Sequence, residues 1–235
     1  MIGIIGALEI EIADINALMT EKTEISILGV TYVIGKLVDI SCVTCICGVG
    51  KVNAAMSTTI MIKEFSPALI INTGVAGALK SGINIGDLVI GTDVLQHDFD
   101  TVAAGNPPGS IEIGDEFVIN FPCDKAASQA LFDSAQHIKD INIFSGTVAT
   151  GDQFVSGKEL RHQLANKFDA LACEMEGGAI AQVCYKTGVA FALLRSISDN
   201  IDRDDFVDFA IFAKSAIKIN MDVIIEMLKT MSERS

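Results

Sequence analysis

Two acidic segments in the last third of the chain hold the side chains best suited to proton chemistry. The first is Cys173-Glu174-Met175-Glu176-Gly177-Gly178, and the second is Leu194-Arg195-Ser196-Ile197-Ser198-Asp199. What reads as a helix and a buried strand separates them. A carboxylate directly after an apolar strand sits where the chain leaves the sheet, the usual position for ligand chemistry in an open α/β fold. Two such carboxylates, one with Arg195 four residues before it, look more like a site than two acidic surface turns. Groups of this kind give protons to a reacting molecule or take them from it.

The elements that must position them alternate between apolar strands and helical patterns. Residues 2–7 read as a strand and 9–20 as an amphipathic helix; 25–28, 31–38 and 41–47 read as strands with hairpin-like connections. A helix over 51–65 starts directly after Gly48-Val49-Gly50, is broken by Pro67, and is followed by a buried strand over 68–72. One or two strands are expected within 86–99, and the Gly- and Pro-rich stretch 103–116 is the best loop candidate. A helix at 125–138 and a strand at 142–149 follow. Ser156-Gly157-Lys158-Glu159 has capping-box spacing and should open another helix. Residues 175–186 read as a helix ended by Gly188, and 190–197 as a buried strand. The last helix, about 205–231, carries Phe206, Phe209, Ala213, Ile217, Ile224 and Leu228 on one stripe. The pattern predicts an α/β fold, a mixed, largely parallel sheet flanked by helices in three layers. No linker or repeat divides residues 1–235, so a single domain is expected.

Half of the 235 residues are apolar and a fifth charged, as in a globular protein. A net charge of −13 argues against a nucleic-acid partner, because a phosphate backbone would be repelled over most of the surface. The apolar start, Met1–Ala7, has no basic leader and meets Glu9 and Glu11 at once, so it reads as a core strand. No apolar run approaches the roughly 20 residues that span a bilayer. A cytoplasmic location with no membrane partner is expected.

Cys42-x-x-Cys45-x-Cys47 raises the question of a metal. In a strand, Cys45 and Cys47 share one face and Cys42 the other. No second ligand pair at zinc spacing appears, and His97, His137 and His162 are scattered. Buried free thiols are the better reading, with no metal. Two glycine-rich stretches, Gly48-Val49-Gly50-Lys51 and Asn72-Thr73-Gly74-Val75-Ala76-Gly77, follow strands and read as turns. Glycine there lets backbone N–H groups approach a ligand, although neither stretch matches a dinucleotide or P-loop fingerprint.

Taken together, GIIGALEIE, GVGKVNAA, INTGVAGAL, GDQFV, CEMEGGAIA and LLRSISD resemble, in this order, the nucleoside phosphorylase/nucleosidase superfamily. Within it the chain is most similar to the 5′-methylthioadenosine/S-adenosylhomocysteine nucleosidase branch. The resemblance runs from Ile2 to the final helix. It implies that Asp199 protonates purine N7 and that Glu11 activates the attacking water, with Arg195 and Glu176 helping to hold it. Glu176 is also implied to bind the ribose hydroxyls, and Met175 to pack against the sugar. Phe154 is implied to stack on the base and the Val155 backbone to read the adenine edge. Ala76 and Gly77 would line the site beside the sugar and base, with Ser198 next to the acid. Leu8 and Phe206 would form apolar walls, Phe206 at the 5′-substituent. The resemblance implies a homodimer, to which exposed apolar residues in 101–109, such as Val102, would lend themselves. It also implies a role in methionine salvage.

The chemistry is consistent without the name. Adenine leaves poorly as an anion, so a carboxylic acid must protonate a ring nitrogen. The ribose then gains oxocarbenium character, which nearby carboxylates stabilise while one takes a proton from water. No metal or cofactor is required.

Beside these roles stand plainer ones. Glu11 could be a first-turn helix residue, as Glu9 is expected to be, and Glu174 is expected to point elsewhere. Met175 and Phe154 could be ordinary core. Val75, where many relatives have Ser, Leu8 in place of a common Met, and Ala104 where an aromatic is frequent all bear on the 5′ pocket. So does the short stretch between Asp199 and Phe206.

A purine nucleoside phosphorylase is the nearest alternative, but the loop that would need a phosphate-binding Arg offers Glu9 and Glu11. Two like charges about 4 Å apart repel by roughly 4 kcal/mol at an effective dielectric near 20. An inert nucleoside-binding protein would be expected to have lost the acid or the base. A futalosine-type adenine-nucleoside hydrolase is left open by the sequence.

Overall fold

The computed structural model describes residues 1–199 and 209–233. Strand β1 (Ile2–Gly6) is wholly buried and is followed by helix α1 (Glu9–Leu18). Three antiparallel strands come next: β2 (Thr20–Ile27), β3 (Val30–Leu37) and β4 (Ile40–Ile46). Helix α2 (Lys51–Phe65) stops at Ser66, which turns into the left-handed region just before Pro67. Strands β5 (Leu69–Ala78) and β6 (Leu88–Gln96) lead to a short 3₁₀ turn at Val102–Ala104. Beyond it lie β7 (Ile111–Ile113), β8 (Glu116–Val118), β9 (Phe121–Pro122) and helix α3 (Lys125–Ala135). The remainder is β10 (Ile143–Thr150), α4 (Lys158–Phe168), β11 (Ala172–Glu174), α5 (Gly177–Thr187), β12 (Ala190–Asp199) and α6 (Phe209–Glu233).

The main sheet runs β11-β10-β6-β12-β5-β1-β4-β3-β2, with β9 beside β6. Strands β1, β4, β5 and β12 are parallel to one another. Strands β6, β10 and β11 are parallel among themselves and run against that group. A further pairing of β11 with β5, through Cys173↔Gly77 and Ala172↔Ala78, closes β5, β12, β6, β10 and β11 into a ring.

Helices cover both faces, giving the three layers. Ala54 and Met61 of α2 pack with Ile180 and Cys184 of α5 on one side, and Ile12, Leu131 and Ile224 of α1, α3 and α6 on the other. A smaller cluster under α4 holds Leu79, Val155 and Leu164. Cys42 lies in one large cluster and Cys45 with Cys47 in the other, as the strand alternation predicted. All six cysteines are buried free thiols, and burial pushes the Cys184 thiol up to about 12. None of the described helices is long and apolar enough to cross a membrane.

Several expectations are corrected. Residues 72–77 are strand rather than turn, because β5 continues to Ala78. The β7–β8 hairpin begins within the 103–116 stretch expected as loop, whereas the single strand over 88–96 agrees with the expected one or two. Strand β11 went unread because three residues carry no periodicity. Helix α4 starts where the capping-box spacing placed it, but Gly157, at φ +83°, occupies the cap and no side chain closes it. On α6, Ile217, Ile224 and Leu228 are buried. Phe206 and the expected start of that helix lie outside the described residues.

Candidate active site

A pocket opens where β1, β5, β11 and β12 come together. Its wall includes Leu8, Glu11, Ala76, Gly77, Phe154, Val155, Met175, Glu176, Ser198 and Asp199. Of the described residues singled out from the sequence, all but Arg195 line this pocket; Phe206 lies outside the described residues.

Glu11 is the third residue of α1 and folds back over the helix start, where free N–H groups await an acceptor. Its Oε2 accepts from Ala7 N at 2.7 Å and Leu8 N at 3.0 Å, and its Oε1 from Val75 N at 3.3 Å. Room for this comes from Gly74, where a Cβ would stand 2.7 Å from Oε1. Burial pushes the carboxyl upward from its ordinary range, against the charge of Arg195 and the three N–H groups. Glu9 is exposed, so only Glu11 of the two faces the pocket.

Glu174 does not point elsewhere. As the last residue of β11 it is drawn inward, and its Oε2 accepts from Arg195 Nη2 at 2.6 Å, Gly177 N at 2.7 Å and Glu176 N at 3.0 Å. The Thr150 hydroxyl bonds its other oxygen. Arg195 is 1% exposed and sits beneath the pocket floor rather than in its wall. Besides Glu174 it donates to the Asn72 side chain and to the Asn72 carbonyl at 3.2 Å. A charge so buried needs a partner, and Glu174 supplies it. Glu176 instead stands at the start of α5 and accepts from Gly50 N at 2.8 Å. Burial, then the neighbouring Glu174 charge, raise it to about 7, while the Gly50 N–H and Arg195 pull the other way.

Asp199 ends β12 on the far side of the pocket. Ser198 Oγ lies 2.9 Å from its Oδ1, and its Oδ2 is paired with Arg161 Nη2. Gly77 makes room here as Gly74 does for Glu11: a Cβ on Gly77 would stand 3.0 Å from Asp199 Oδ2. Arg161, on α4, is buried and also approaches the Val155 carbonyl at 3.4 Å. Its Nε has no partner among the described residues. Phe154 stands at the mouth, 60% exposed.

Sequence reading missed Glu174 and Arg161. A signal for the second existed: Arg161 lies three residues before Leu164, the other buried residue of α4, so a charge occupies an apolar stripe. Glu174 gave no such signal, because its burial follows from a strand too short to read.

The fold and the paired carboxylates define a class. Residues 1–229 match the family model of the Phosphorylase superfamily, and the chain belongs to that superfamily. A relative from Staphylococcus carnosus, named 5′-methylthioadenosine/S-adenosylhomocysteine nucleosidase, is 39% identical over 235 residues, covering 98% of this chain and 100% of its own. The crystal structure of the nucleosidase of that name from Neisseria meningitidis, in complex with methylthio-immucillin-A, superposes with a TM-score of 0.90. It is 31% identical and the match covers 97% of this chain and 98% of that one. The native structure of futalosine hydrolase from Helicobacter pylori is similar to the same extent, with a TM-score of 0.89, 31% identity and 97% of each chain covered.

Proposed function

We propose that this chain is an N-glycosyl hydrolase that cleaves 5′-methylthioadenosine and S-adenosylhomocysteine, releasing adenine and the 5-thio-ribose product. The observation that carries the reading is a pair of carboxylates, Glu11 and Asp199, lining one pocket and held by different elements, with a third, Glu176, in the same wall.

Asp199 delivers a proton to purine N7 as the glycosidic bond breaks, which requires it to part from Arg161 when the base arrives. Ser198 steadies the carboxyl through its 2.9 Å contact. Glu11 takes a proton from water on the sugar side, and its upward shift suits a base that must hold that proton. Glu176 binds the ribose hydroxyls, and Met175 packs on the sugar. Phe154 stacks on adenine while the Val155 backbone reads its edge. Leu8, Ala76 and Gly77 shape the wall, and Phe206 closes the 5′ side. Arg195 acts through Glu174 rather than on substrate. No cofactor enters this scheme. Residues 1–235 work as one nucleosidase domain.

A phosphorylase would have to seat a dianion against the buried Glu11, which disfavours it. A futalosine-type hydrolase is the second reading, favoured by the likeness to the Helicobacter pylori enzyme. Product chromatography tests the first reading: free methylthioribose, formed at a rate indifferent to added phosphate, is expected, and methylthioribose 1-phosphate would overturn it. Competing methylthioadenosine against futalosine tests the second.

The working form is a homodimer in the cytoplasm, in methionine salvage. Val49 and Phe154 of the pocket wall are exposed, as are Val52, Met56 and Val102, and these apolar side chains are suited to burial against a partner. Sedimentation with activity measured across dilution checks this; a fully active monomer would refute it.

A further inference from the structure

Three residues that the mechanism leaves unused meet in space, Lys51 and Asp152 from the quoted motifs and Asp98 beside them. Lys51 follows Gly50 at the start of α2, Asp98 lies two residues past the end of β6, and Asp152 lies two past the end of β10. Lys51 Nζ pairs with Asp98 Oδ1 at 2.6 Å, and Asp98 Oδ2 accepts from Asp152 N at 2.8 Å. Asp152 Oδ1 then accepts from Lys51 N at 2.7 Å, which closes a ring of three. The side chains of Lys51 and Asp98 are 19% and 25% exposed. Asp98 is held below the usual carboxylate range: burial pushes it up, but the Lys51 ammonium and the Asp152 N–H together outweigh that.

Glycines flank the ring: Gly50 abuts it directly, and Gly151, next to Asp152, packs against His97. Gly50, at φ +96°, would bring a Cβ 3.0 Å from Asp152 Oδ1, and a Cβ on Gly151 would stand 2.3 Å from His97 Nε2. The neighbours of the ring face the pocket: Val49 on one rim, Gln153 and Phe154 on the other. Next to Lys51, the Gly50 N–H reaches Glu176 Oε1 at 2.8 Å. An isolated ion pair this exposed would contribute little, but two of these three links are carboxylate-to-backbone bonds, which are stronger and directional.

We propose that Lys51, Asp98 and Asp152 are positioning residues that join the two rims of the pocket and hold the Gly50 N–H on Glu176, so that this carboxylate meets the ribose hydroxyls in one orientation. The ring touches no substrate. It deepens the reading of Glu176 given above and rests on it.

Its signature is selective. Cutting the ring frees one bond to Glu176 and costs discrimination for ribose hydroxyls, while proton delivery to the base is left alone. For Asp98→Ala, the preference for methylthioadenosine over its 2′- and 3′-deoxy analogues is expected to fall about tenfold, with kcat on the deoxy compounds little changed. Lys51→Met should behave alike and Lys51→Arg should recover most of the loss. Should Asp98→Ala fail to fold, Lys51→Met decides on the same readout. An equal loss on hydroxylated and deoxy substrates, or no loss, would overturn the ring's role. Glu176→Gln is the control: if it leaves the hydroxyl preference intact, the assignment of Glu176 fails, whatever the ring does.

Discussion

The two sides of the pocket proposed to receive the sugar and the base are built by different means. On the sugar side, Glu11 and Glu176 are held by backbone N–H groups, and Glu174 by two more plus Arg195. Those donors belong to helix starts and a central strand, so they do not move unless the fold does. On the base side, Asp199 is held by two side chains, Ser198 and Arg161, and the latter hangs from a short surface helix. The difference matches the proposed work. A group that stabilises developing charge gains from being fixed in advance, whereas an acid that must exchange partners needs a holder that can let go.

The comparison breaks first at Asp199. Replacing it by Asn keeps the shape and removes the proton, so turnover on methylthioadenosine is expected to fall by about 10²–10⁴-fold with the fold intact. Steady-state kinetics and a melting curve on the same sample check both halves.

Arg195→Met should do the reverse. Removing one partner of a buried pair leaves Glu174 charged and uncompensated, at a cost of about 3–5 kcal/mol in stability. Urea unfolding measures it; a loss of activity without a loss of stability would mean that Arg195 acts on substrate after all.

A pH series sharpens the sugar side further. Glu176 is raised from 4.5 to about 7 in the folded protein. Between those values the folded state binds more protons than the unfolded chain, so stability declines as pH rises through the window. Relative to Glu176→Gln, the protein should lose roughly 1–3 kcal/mol between pH 4.5 and 7. Denaturation midpoints at intervals of pH test the slope, and a flat difference would remove the shift.

The smallest effect belongs to Arg161→Leu. If its hold on Asp199 is exchangeable, kcat/KM should change by less than about tenfold. A loss rivalling that of Asp199→Asn would make Arg161 part of the chemistry.

Much of this was legible from residue order. Alternating apolar strands and capped helices gave the layers, and Asp199 and Glu176 stand where chains leave the sheet, as expected. What could not be read depends on neighbours distant in sequence. Gly74 and Gly77 look like turn residues until the carboxylates of Glu11 and Asp199 are seen in the space a Cβ would take. Glu174 looks like surface until β11 is found paired on both sides. Nothing local marks Arg195 as belonging to Glu174 rather than Glu176, since the choice follows from which carboxylate the short strand turns inward.

The ring of strands closed by β11 on β5 bears on when the site comes into being. The Gly77–Cys173 pairing is far apart in sequence, so its loop-closure cost must be met before it is rewarded, and it is expected to close late. The site's parts straddle that seam, with Glu11 and Val75 on one side and Glu174 and Glu176 on the other. A chain caught with its helices formed and the seam open would have every residue proposed for catalysis and no activity. During refolding, turnover should therefore return more slowly than helical signal, making the enzyme's own reaction a reporter of its last long-range closure.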